Sequence, residues 1–151
     1  MKKLLCPRMD LVGSSMFASA ALLAMRLVAG SAFAQHGFGK IQSPFAWMGP
    51  DAGTPGIFQA LAAVSEFGGG IAWMLGLLTP LSSFGILSTM TVAVFTHLSK
   101  GDGMIKGYEL AAVYWTIALC LMAIGPGRFS LDFLAAKRCG KCSQDGPTSQ
   151  G

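Results

Sequence analysis

The stretch SEFGGGIAWMLGLLTP, residues 65–80, decides how the chain is read. It is apolar or small almost throughout and carries one carboxylate, Glu66. No other charged residue occurs between Ile57 and Thr79. A bilayer core of about 30 Å needs roughly 20 such residues in a helix. Lipid offers no partner for backbone N–H and C=O groups, so a run of this kind has to be helical. A lone charge near the middle of it costs roughly 3 kcal/mol or more, and that cost demands an explanation.

Outward from this run, three more apolar segments appear, at about 11–34, 81–98 and 108–125. The chain is 52% hydrophobic and 12% charged. Soluble domains carry roughly 25% charged residues, so too few charges remain to cover a soluble surface. None of the runs alternates with period two, which argues against a β-barrel. The fold class expected is all-α, an integral membrane four-helix bundle. At 151 residues the chain is long enough for one domain, read as 11–134, between a segment at 1–10 and a polar tail at 135–151.

The net charge of +4 is read by its distribution, not as a nucleic-acid footprint. Lys2, Lys3 and Arg8 precede the first run, and Arg128, Lys137, Arg138 and Lys141 follow the fourth. The first loop holds only Lys40 and the third Lys100 and Lys106. This bias puts both termini on the cytoplasmic side of a cell membrane of the bacterial inner-membrane type. Cys6, Cys139 and Cys142 fall on that side and Cys120 inside the fourth run, so no disulfide framework is expected. A rival reading takes SAFA before Gln35 as a signal-peptidase site; Arg26 and the length of the segment favour an uncut span.

Thr79-Pro80-Leu81 joins the second and third runs as a tight turn or a proline break, with Pro80 suited to the first turn of a new helix. Residues 35–56 are rich in glycine and proline and read as an irregular loop, with Phe45 and Trp47 at the membrane surface. After Gly125-Pro126-Gly127, Ser130 caps a short interfacial C-terminal helix with Asp132 in its first turn.

Arg26 lies about 8 residues from the expected outer end of the first run, and Glu66 about 9 from that of the second. At 1.5 Å per residue both sit about 12–14 Å deep, which predicts an Arg26–Glu66 ion pair inside the bundle. Ser15, Ser19, Leu22, Arg26, Gly30 and Phe33 share one helix face, and Glu66, Gly70, Trp73 and Leu77 another. Small residues on these faces permit close approach, and the triple glycine 68–70 reads either as packing or as backbone opened beside a ligand.

His36 is expected to line a pocket with Arg26. His36, His97 and Glu109 gather toward the outer side, where two histidines and an acid could bind a metal or relay protons; His97 and Tyr108 are read as interfacial anchors. No H-x-x-x-H spacing supports a metal, and none is expected. The CxxC at Cys139 and Cys142 suits a thiol pair or half a zinc site, and alone carries little weight.

The order RLVAGSAFAQHGFGKI, SEFGGGIAWMLGLLTP, GYELAAVYWTIAL and GPGRFSLD resembles the DoxX family of small four-helix membrane proteins, over roughly Leu11 to Asp132. The resemblance implies redox chemistry. Some members are similar to the small membrane subunit of a thiosulfate:quinone oxidoreductase, and others belong to membrane complexes that handle thiol or oxidative stress. The function expected is a membrane subunit, not catalytic alone, that binds a quinone or docks a soluble oxidoreductase or sulfur-transfer partner. Glu66 or His36 would exchange the proton, Arg26 would donate to a carbonyl or hold Glu66 ionised, Trp73 would pack on the ring, and Arg26, Glu66, Gly70 and Trp73 would bind it. The alternative is a non-enzymatic scaffold in which the Arg–Glu pair only fixes helix packing. A small-solute or proton carrier is a third reading; four short helices line only a narrow path unless the chain forms a homo-oligomer.

Overall fold

The computed structural model describes residues 15–50, 53–105 and 107–138. The N-terminal basic residues, Cys6, Lys106, the tail from 139 and its CxxC lie outside the described residues, as does the expected start of the first span at Leu11. Five helices follow one another: α1 (Met16–Ile41), α2 (Gly56–Leu75), α3 (Thr79–Ser99), α4 (Glu109–Ile124) and α5 (Leu131–Arg138). No strand occurs among the described residues. Helices α1, α2 and α3 are long and apolar enough to cross a membrane, while α4 is apolar but shorter at 16 residues.

Helix α1 begins at Ser15, whose hydroxyl accepts from Ala18 N at 3.3 Å. Its other end corrects the sequence reading. The helix runs to Ile41, seven residues past the expected boundary at Ala34, and continues unbroken through the Ala34–Gln35 bond. Gly37 and Gly39 suggested a loop. A glycine costs about 1 kcal/mol in a helix, and packing against α2 overrides that here. A Cβ at Gly37 would overlap the backbone of Phe67.

Helix α2 ends at Gly76, which takes the left-handed conformation at φ 63°. Gly76 N donates to Trp73 O at 3.1 Å and Leu77 N to Ala72 O at 2.9 Å, the paired bonds of a Schellman cap. Leu78 is also left-handed, at φ 47°. Helix α3 then starts with Pro80 in its first turn, so the proline begins a new helix as its missing N–H allows.

Helices α1 and α2 pack antiparallel at backbone contact. A Cβ on Gly30 would lie 2.6 Å from Gly70 O, and one on Gly70 would lie 2.5 Å from Ala34 N. Gly69 faces Ile86 of α3. The triple glycine is therefore unbroken helix serving close packing, although nothing within 4 Å accounts for Gly68. Ala29, Phe33, Trp73, Ile86, Met90, Ala118 and Leu121 form one core drawn from α1 to α4. Trp73 is fully buried and donates Nε1–H to Ser83 Oγ at 3.0 Å, which satisfies the one polar group it brings inside. The outer faces carry Phe17, Val28, Phe84, Val92 and Phe95 exposed, as a lipid-facing surface requires.

Candidate functional site

The predicted Arg26–Glu66 pair does not form. Gly30 lies against Gly70 and Gly37 against Phe67, so Glu66 is level with Gly37. Arg26 lies roughly eleven residues, or about 16 Å, further along α1. The expectation failed because the outer end of the first helix was set at Ala34, seven residues short of Ile41. Each charge has found a different partner at its own end of the molecule.

Arg26 is fully buried. Its Nη1 donates to Trp73 O at 3.4 Å and its Nη2 to Phe129 O. The guanidinium thus meets a carbonyl in the last turn of α2, where the helix dipole favours a cation. Gly76 is required beside it, since any Cβ there would overlap Arg26 Nη1. The segment after α4 completes this end. Arg128 N donates to Ser19 Oγ at 3.5 Å, and Ser130 Oγ caps α5 by accepting from Phe133 N at 3.1 Å. Asp132 accepts from Leu78 N and Thr79 N, both at 2.8 Å, and its own N–H donates to Gly76 O at 2.9 Å. A carboxylate at the N-terminus of α3 is favoured by the dipole of that helix. GPGRFSLD is therefore a clasp that ties α1, the α2–α3 turn and α5 together.

Glu66 has only 3% of its side chain exposed and receives Lys40 Nζ on both oxygens, at 2.6 and 2.7 Å. The ammonium lies 4.4 Å from the centre of the Trp47 ring, a cation–π contact. Trp47 Nε1–H donates to Gln59 O at 2.9 Å. Buried Gln59 holds the same loop twice more, accepting from Met48 N at 3.1 Å and donating to Thr54 O at 2.9 Å. The loop expected to be irregular is thus fastened over the Lys40–Glu66 pair.

A cavity of about 190 Å³ opens beside this pair. Phe33, Met90, Leu110 and Ala111 line it together with the polar residues His36, Lys40, Glu66, His97 and Tyr114. Tyr114 packs edge-on to Phe33 with ring centroids 4.5 Å apart. Of the residues expected to form a site, Glu66 and His36 line this cavity. Arg26, Gly70 and Trp73 do not: Arg26 belongs to the clasp, Gly70 to the α1–α2 contact, and Trp73 to the core behind Phe33. No cluster of three metal-ligating side chains occurs among the described residues.

Lys40 was the residue missed as the partner of Glu66. A signal existed, because the face of Arg26, Gly30 and Phe33 continues at helical spacing through Gly37 to Lys40. His97, read as an anchor, also lines the cavity, and its Nδ1 lies 2.8 Å from Asp102 Oδ2. That contact depends on the turn after α3, which carries no helical periodicity to read.

The family model of DoxX matches residues 21–98. This covers just over half of the chain, and Arg26, His36, Lys40, Glu66 and His97 all lie within it. No curated protein and no solved structure matches the chain. With its apolar helices and the family match together, the chain is a multi-pass membrane protein that belongs to the DoxX family.

Proposed function

We propose that this chain is the membrane component of a redox assembly and that the cavity beside Lys40 and Glu66 takes the head group of a quinone. The reading includes four spans, with α4 as the shortest, and both termini on the cytoplasmic side of a cell membrane. It also includes a soluble oxidoreductase or sulfur-transfer protein as the source of electrons. The chain would act as a subunit and not as an enzyme by itself.

The observation that carries the reading is the cavity, in which apolar and aromatic walls meet a few convergent polar groups. That is the usual make-up of a site for a small organic ligand. Its volume of about 190 Å³ suits a single ring, given that an apolar cavity of about 150 Å³ takes benzene. When bound, a quinone would accept two electrons from the partner protein and two protons from its surroundings.

The chain's own residues would bind and orient it. An ammonium has three hydrogens. Glu66 takes two of those on Lys40, so Glu66 aims the third and Lys40 contacts a ligand oxygen. Phe33 and Tyr114 would flank the ring, and His36 adds a polar contact from α1. Imidazole is the side chain whose charge changes nearest neutral pH, so proton movement falls to a histidine of the wall.

Glu66→Gln, reconstituted in nanodiscs, tests this reading. It is expected to bind the short-tailed quinone ubiquinone-1 about tenfold more weakly, the loss of one well-oriented contact, with an unchanged helical circular dichroism spectrum. Unchanged affinity would remove the Lys40–Glu66 pair from the site.

A second reading is favoured by one fact: Lys40–Glu66 joins α1 to α2 beside the tight Gly37–Phe67 contact. In that reading the chain is a scaffold and the pair sets helix register. Lys40→Met combined with Glu66→Met should then restore assembly that either single change disrupts.

A further inference from the structure

One pair at the mouth of the cavity takes no part in holding Lys40. His97 lies in the last turn of α3 and lines the cavity, with its Nδ1 2.8 Å from Asp102 Oδ2. The local fold builds this pair. Gly101 turns the chain at φ 75°, and Asp102 N returns to His97 O at 3.0 Å. Gly107 backs Asp102 from the other side, where a Cβ would come within 2.7 Å of Asp102 Cβ. The two side chains are 38% and 43% exposed, so His97 lines the cavity and keeps an exposed side as well.

An ionised carboxylate only accepts hydrogen bonds, so Nδ1 of His97 keeps its hydrogen on Asp102. Nε2 then carries a hydrogen only when the ring is protonated. A carbonyl oxygen in the cavity needs a donor, and the neutral ring held this way offers it none. The other ionisable groups facing the cavity are His36 and Lys40 from α1, Glu66 from α2 and Tyr114 from α4. Lys40 and Glu66 offset one another, and Asp102 supplies the charge opposite to a protonated His97.

We propose that His97, oriented by Asp102, is the group that exchanges a proton with the ligand oxygen, and that binding of the ligand takes up a proton at this ring. The inference rests on the quinone reading of the cavity. As the partner's electrons arrive, the Nε2–H bond of His97 breaks and an O–H bond forms on the ligand. The ring is left neutral with Nδ1–H still on Asp102, and water at the mouth returns a proton to Nε2.

The test is calorimetric titration of ubiquinone-1 into the full chain in nanodiscs, in two buffers of different ionisation enthalpy. The wild type should take up a fraction of a proton per quinone bound, and its affinity should fall on the alkaline side by up to about tenfold per pH unit. His97→Gln supplies an amide N–H without titrating, so it should still bind, with no proton uptake and a flat pH profile. Asp102→Asn frees the neutral ring to place its hydrogen on Nε2, so uptake should diminish while binding persists. Binding by the wild type without proton uptake, or uptake unchanged in His97→Gln, overturns the role of His97 and leaves the quinone reading standing. No binding of ubiquinone-1 by the wild type overturns both.

Discussion

Helices α1 and α2 each bring one buried charge to the molecule, and the two ends treat them differently. At one end, Arg26 is fully buried and donates to backbone carbonyls of Trp73 and Phe129. At the other, Glu66 is bound by the side chain of Lys40, which keeps 26% of its own side chain exposed and stands beside a cavity. A backbone partner cannot move without moving its helix. A side-chain partner can turn about its own bonds while both helices stay in place. The Arg26 end is therefore tied to the backbone of the fold, while the Glu66 end is held by side chains alone.

The strongest challenge to this division is Arg26→Met. Its loss leaves the carbonyls of Trp73 and Phe129 without a donor, at about 1–3 kcal/mol for each buried group left unpaired, so detergent-solubilised protein should unfold at a markedly lower temperature. The fraction that stays folded should bind ubiquinone-1 with the affinity of the wild type. Weakened binding at unchanged stability would place Arg26 in the site and end the distinction.

Gly37→Val comes next, because its side chain would meet the backbone of Phe67. Overpacking of this kind costs about 1–3 kcal/mol. It should also separate Lys40 from Glu66, so thermal stability and quinone affinity should fall together. Asp132→Ala removes the acceptor for Leu78 N and Thr79 N. A lost cap costs about 1–2 kcal/mol, and denaturant titration should show that loss with binding unaffected.

Glu66→Gln should reverse the pattern. The amide is uncharged and Lys40 retains access to solvent, so stability should change less than binding does. The smallest expected effect is that of Gly68→Ala. No atom lies within 4 Å of the added methyl, and alanine gains up to about 1 kcal/mol over glycine in a helix. A small rise in unfolding temperature should follow, and a fall would show that this helix face has a partner.

Most of the helical architecture was legible from residue order. Three apolar runs became α1, α2 and α3, and the expected 108–125 became α4 at 109–124. Pro80 began a helix and Ser130 capped one, as their backbone chemistry dictates. The site was legible only in part. Glu66 drew attention as an ionisable group in an apolar run, and His36 as the residue ten places beyond Arg26 on the same element; both line the cavity. Lys40 and His97 were passed over because each lies near a helix end, where polar residues are ordinary.

The sequence by itself determined that this chain is helical, that its helices suit a membrane, and which residues carry unusual charge. Those properties follow from the length and hydropathy of each segment, which every residue contributes to locally. Only the tertiary structure decided which charges meet. Helix register is set where Gly30, Gly37 and Gly70 let two backbones touch, and that contact also carried α1 past its expected end. A shift of a few residues there moves a charge by several ångströms, enough to exchange one ion pair for another.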